Sequence, residues 1–188
     1  MKVWSCQLEN FASYKELDFQ FDETGLILIS GPTGSGKSTL CDALPWILFS
    51  KTAKGGTVDE IINWTSEEPT KGTVFVTVPE GDFIITRIRG KKAKDNDLYF
   101  ADRNFPGNVT RGKDLNDTQL LINNLLGLTA ELYLSGSYFH EFSQTAQFFT
   151  TTPKNRRTIC EQIVDLSLAK KLQTNTKDNT KTVKESLS

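Results

Sequence analysis

One histidine and three cysteines are the whole supply of imidazole and thiol groups in 188 residues. Cys6, Cys41 and Cys160 stand far apart, without the spacing of a metal site, and their odd number leaves one outside any disulfide scheme. That usage suits a reducing compartment. The lone histidine, His140, reads as a packed or loop residue rather than a general base. Charge of one sign is also lacking: Lys+Arg number 22 against Asp+Glu 23. A global basic field is therefore excluded, and any DNA binding must come from a local patch. No apolar run approaches the length of a membrane span, and MKVWSCQLEN has no signal-peptide core. The expectation is a soluble cytoplasmic protein with no membrane partner. No internal repeat is visible, and no low-complexity tract precedes the polar C-terminal tail.

What is present is a phosphate-binding motif. Gly31, Pro32, Thr33, Gly34, Ser35, Gly36, Lys37 and Ser38 fit G-x-x-x-x-G-K-[ST], with Thr39 completing the turn. The preceding run Leu26–Ile29 is continuously apolar, the pattern of a strand buried on both faces of a parallel sheet. Leu40, Ala43, Leu44, Ile47 and Leu48 follow at the spacing of a helix with one buried side. Gly34 and Gly36 permit the backbone turns that aim successive N–H groups at phosphate oxygens. The helix start adds its positive end to the same anion. Lys37 is the point charge for the β- and γ-phosphates, and Ser38 the expected Mg²⁺ ligand. The implied cofactors are ATP and Mg²⁺. Pro45 falls within this helix and predicts a bend.

Around the motif the chain reads as follows. Residues 2–8 make a first strand, and Leu17, Phe19 and Phe21 alternate with polar residues in a second, joined by a turn carrying Phe11 and Tyr14. Residues 51–72 read as loop, short helix and loop. Residues 73–78 and 83–89 form a hairpin around Gly81, and 98–102 a third strand of this arm. Arg87, Arg89, Lys91, Lys92 and Lys94 are the one basic concentration; its two readings are phosphate contact with DNA and a solvated hairpin tip. Residues 117–127 fit a helix capped by Asp117, with Leu121, Ile122 and Leu125 on its apolar face and Gly127 at its end. Leu132–Phe139 reads as strand, and Thr152-Pro153 opens a helix bearing Ile159, Ile163, Leu166 and Leu172 near one face. Leu134-Ser135-Gly136-Ser137 looks like an ABC signature, but a true one begins a helix, so it is set aside.

Taken together, Asn10, Phe11, Ser13, Tyr14, the run 25–44 and Leu48-Phe49 resemble the N-terminal ATPase half of the SMC-like DNA-repair ATPases, SbcC and its phage counterparts above all. Phe148-Phe149, Pro153, Arg156-Arg157 and Glu161 fit the same family's passage into its coiled coil. The resemblance implies an α/β, ABC-type P-loop NTPase half-head: a parallel core sheet, an antiparallel β arm and the start of a coiled-coil helix. It divides the chain at 153/154, with the lobe at 1–153 and the helix at 154–188. It places Ile62, Asn63 and Trp64 beside adenine and ribose, and a Q-loop residue, Gln144 or Glu141, at the metal and the attacking water. Trp64 and Ile62 have the alternative of plugging the core edge. Ala12 departs from the family, which often has there an Arg reaching the phosphates; Ser13 and Lys15 are the candidates for its place. Implied partners are the C-terminal half of the same head, a second head in an ATP-bound homodimer, an SbcD-like nuclease subunit and double-stranded DNA ends. The alternatives are a self-contained P-loop small-molecule kinase, a RecF- or SMC-type DNA-organising ATPase without a nuclease, and a non-catalytic nucleotide-dependent interaction module.

Overall fold

The computed structural model describes residues 1–21, 25–52, 61–63, 65–136, 152–163 and 176. Its sheet is five-stranded and wholly antiparallel. The strands are β1 (Lys2–Phe11), β2 (Tyr14–Gln20), β3 (Thr70–Val78), β4 (Gly81–Arg89) and β5 (Asp97–Asp102), in the spatial order β2-β1-β3-β4-β5. Among the described residues it is accompanied by the α-helices α1 (Lys37–Phe49), α2 (Leu115–Leu126), α3 (Ala130–Gly136) and α4 (Pro153–Ile163).

Period-two alternation fixes the register. Along β3 every second residue from Thr70 to Val78 is buried. Those residues meet buried partners: Cys6 lies opposite Val74, Leu8 opposite Gly72 and Val74 opposite Ile85. A slip of one residue would turn this whole set into solvent. The inner face is covered by α1, whose Ala43, Trp46, Ile47 and Leu48 are fully buried. The approach is close because of Gly72: a Cβ there would lie 2.5 Å from Ile47 Cγ1 and 2.6 Å from Trp46 Cζ3. The ring of Trp46 also packs on Phe11, with centroids 5.2 Å apart.

β1 and β2 are joined by a two-residue turn, shorter than the sequence suggests, with Asn10 (φ 51°) and Ala12 (φ 48°) both left-handed. Residues 61–63 dock on this tip: Ala12 N–H donates to Ile61 O at 2.6 Å, and Asn63 N–H to Asn10 O at 3.2 Å. On the far edge, Thr110 pairs with Phe100 through reciprocal backbone bonds of 2.7 and 3.2 Å.

Four sequence expectations are corrected. Residues 26–30 are not a strand: Leu26 is 99% and Leu28 85% exposed. An apolar run becomes a buried strand only where neighbours take its N–H and C=O groups, and among the described residues none does. The parallel core sheet is accordingly not seen. Leu132–Gly136 belongs to α3, not to a strand, because Thr129 starts a helix there. Its carbonyl accepts from Tyr133 N–H at 2.9 Å and its hydroxyl from Leu132 N–H at 3.2 Å. Helix α2 begins two residues earlier than expected, and Asp114 rather than Asp117 caps it, accepting from Asp117 N–H at 2.8 Å. Asp117 instead reaches back to Lys113 N–H at 2.9 Å, a reciprocal capping pair. On α2 the buried apolar residues are Ile122 and Leu126, whereas Leu121 is 38% exposed. Gly127 ends α2 in the left-handed conformation, and Pro153 opens α4, both as expected. Pro45 lies inside α1, which continues to Phe49. Ile159 and Ile163 fall in α4, but the coiled-coil expectation otherwise lies outside the described residues.

Strand propensity alone says that valine at position 72 should stabilise β3. Contact with α1 says the reverse. Gly72→Val is expected to cost about 2 kcal/mol, read as a lower urea midpoint at constant slope; an unchanged or raised midpoint would refute the close packing of α1 on β3.

Candidate nucleotide site

The phosphate loop leads into α1 through Gly34 (φ 84°) and Gly36 (φ 89°), both in conformations that a side chain resists. Gly36 is the residue from which α1 starts, and its carbonyl accepts the first helical bond, from Leu40 N–H at 3.0 Å. The amides of Lys37, Ser38 and Thr39 therefore precede any acceptor in the helix and form its positive end. No acidic residue lies in this first turn. Within the loop, Ser35 N–H donates to Pro32 O at 3.2 Å, and Gly31 stands beside the Ser35 hydroxyl. Gly31, Pro32, Thr33, Gly34, Ser35 and Ser38 are exposed, so the cradle opens to solvent. The Lys37 ammonium folds back over the loop, donating to Gly31 O at 2.8 Å and Pro32 O at 2.6 Å. Its charge is thus held where a phosphate entering the loop would meet it.

The tip of the β1–β2 hairpin stands against this loop. A Cβ at Gly36 would lie 3.3 Å from Ser13 Oγ and 2.8 Å from Tyr14 Oη. Ile62 and Asn63 reach the neighbourhood through the same tip, since Ile62 bridges Phe11. Asn63 is buried, and its side-chain oxygen accepts from Thr65 N–H (3.0 Å) and Thr65 Oγ1 (2.7 Å), so it organises its own turn. Trp64, His140, Glu141 and Gln144 lie outside the described residues. Among the described residues no group of three His, Cys, Asp or Glu side chains could hold a metal ion. Of the assigned metal ligands only Ser38 is therefore placed. Cys41 lies in the second turn of α1 and is exposed, and partial desolvation, then the charge of Asp42, raises its pKa.

The basic concentration does not survive as one patch. Arg87 is 8% exposed and points to the inner face. Its Nε donates to Ile47 O at 2.8 Å, and its Nη2 donates to the Gln119 side-chain oxygen. The Gln119 amide in turn donates to Leu48 O at 2.8 Å. The C-terminal carbonyls of α1, unsatisfied within a helix, are thereby taken up by a cation from β4 and an amide from α2. Burial lowers the pKa of Arg87 to about 9. Lys91 pairs with Glu67 at 2.7 Å. The sequence pattern missed this clamp because nothing local to β4 shows what lies across from Arg87. Leu134-Ser135-Gly136 sits at the end of α3 and not at a helix start, which removes the signature reading on structural grounds.

A phosphate loop opening a helix that is packed on a sheet defines an ATPase-type nucleotide-binding domain of the α/β class. The family description for AAA domains matches residues 5–188, and the chain belongs to that family. Membership carries ATP as the nucleotide. Among curated relatives, the SbcC component of the nuclease SbcCD from Deinococcus radiodurans is 27% identical over 98% of this chain and 21% of its own length. The DNA double-strand break repair Rad50 ATPase of Methanosarcina acetivorans is 26% identical over 88% of this chain and 16% of its own. The chain thus spans about a fifth of the length of these relatives. A solved structure of the recombination mediator RecF with ATP superposes with a TM-score of 0.54 at 16% identity, over 93% of this chain and 42% of that one. At that identity the likeness is one of fold.

Because Arg87 serves α1, Arg87→Met should destabilise the chain by about 2–4 kcal/mol through the stranded carbonyl and amide groups. Lys92→Met, at an exposed position, should stay within about 0.5 kcal/mol of the unaltered chain. Equal thermal midpoints for the two variants would refute the clamp.

Proposed function

We propose that this chain is the ATP-binding half of an SMC-like DNA repair and recombination ATPase. In it, Mg-ATP would sit on the loop Gly31–Thr39, with Lys37 on the β- and γ-phosphates and Ser38 on Mg²⁺. The observation that carries the reading is the phosphate cradle itself. Two left-handed glycines, three helix-start amides and a lysine folded over the loop carbonyls converge on one exposed opening. The matches to SbcC and Rad50 support the repair context. When bound, Mg²⁺ would supply charge neutralisation between the phosphates.

Ser13, Ile62, Asn63 and Trp64 flank the nucleotide, and Gln144 or Glu141 completes the metal and water site. ATP joins two complete heads, each formed with a C-terminal half, and that association controls DNA-end binding and an SbcD-like nuclease. Hydrolysis releases the pair. The kinase alternative loses ground because Arg87, one of its few candidate catalytic arginines, is buried against α1.

Mg-ATP binding and steady-state hydrolysis by the chain alone test the reading. Binding without appreciable turnover is expected, and Lys37→Ala should weaken binding at least about tenfold, the loss of a charged hydrogen-bond partner, without changing the thermal midpoint by more than a degree or two. Brisk turnover proportional to chain concentration would point to the kinase class and sink the half-site reading.

A further inference from the structure

Among the described residues, Tyr14 is the tyrosine whose hydroxyl meets the phosphate loop. The position of a Cβ on Gly36 lies 2.8 Å from Tyr14 Oη and 3.0 Å from its Cζ, so the phenol tip, not the ring face, is what touches the glycine at the start of α1. The side chain is held there by a braced hairpin. Tyr14 pairs with Phe11, Phe11 stacks on Trp46 of α1, and Ala12 is tied to Ile61 across the turn. Among the described residues the Tyr14 hydroxyl takes part in no hydrogen bond, and the Ser13 hydroxyl stands near the same glycine. Partial burial, then the charge of Cys41, raises its pKa above the ordinary phenol value, so the group stays an O–H donor throughout the neutral range.

A protonated donor held against Gly36, the residue from which α1 starts, suits the same partner as the helix-start amides: an anion oxygen. We propose that the Tyr14 hydroxyl is a phosphate ligand of the bound nucleotide, donating a hydrogen bond to a phosphate oxygen at the start of α1. This rests on the nucleotide-binding reading above. It adds a neutral donor that no part of the loop motif specifies and assigns the hairpin tip a direct part in binding.

Tyr14→Phe removes the hydroxyl and keeps the ring. Calorimetric titration of the chain with Mg-ATP, competition by Mg-tripolyphosphate, and thermal midpoints would be compared for the unaltered chain, Tyr14→Phe and Lys37→Ala. The expected result is a loss of about tenfold for Mg-ATP in Tyr14→Phe, the same factor for tripolyphosphate, and an unchanged midpoint. Affinity for Mg-ATP within twofold of the unaltered chain would overturn the proposal. A loss confined to Mg-ATP, with tripolyphosphate binding unaltered, would overturn it too, by placing Tyr14 on the nucleoside. If the unaltered chain itself failed to bind Mg-ATP, the nucleotide reading would fall first, visibly, before any variant was compared.

Discussion

Helix α1 is held on the sheet along its C-terminal half, by two attachments on which the candidate site depends. In its middle and C-terminal half, Trp46 and Ile47 occupy the space that Gly72 leaves open on β3. Beyond them, Arg87 and Gln119 take up the carbonyls of Ile47 and Leu48. A helix gripped in this way cannot slide or roll without unburying Trp46 or stranding a guanidinium in an apolar layer, each worth several kcal/mol. The phosphate loop is the other end of the same rod. Its geometry is therefore set by contacts well removed from Lys37.

The position of Arg87 has a consequence for charge. The only dense run of basic residues in a nearly neutral chain divides between a buried structural cation and a hairpin end in which Lys91 is paired with Glu67. Among the described residues, the positive charge shown against the phosphate loop is that of Lys37, joined by the backbone dipoles of the helix start. Those act over a short range and favour a compact polyphosphate over an extended backbone. A DNA-binding role, if carried by this lobe, must draw on charges from more than one element.

Elements whose signal is local were legible in the sequence. The second strand follows from period-two alternation, the β3–β4 hairpin from valine- and isoleucine-rich runs around Gly81, the loop from its glycines and lysine, the end of α2 from Gly127 and the start of α4 from Pro153. Where the reading failed, a competing local group or a missing neighbour was responsible. Asp114 took the capping role assigned to Asp117 because each side chain bonds the other's turn. Leu132–Gly136 became helical because Thr129 caps it and Tyr133 finds Phe49, ring centroids 5.3 Å apart. Leu26 and Leu28 carry the composition of a buried strand yet lie in solvent, since composition does not supply a neighbouring strand.

The chemistry of the chain was thus determined by its sequence. Eight consecutive residues suffice to specify a phosphate cradle, because the amides that bind the anion are backbone groups and need only the right φ values and a helix behind them. What stands around the cradle was decided by tertiary structure alone. That Tyr14 and Ser13 reach Gly36, and that Arg87 serves α1 and not a polyanion, depends on contacts across 22 and 40 residues of chain. Such contacts leave no periodicity to read, because packing and desolvation act between faces that meet only once the sheet has formed.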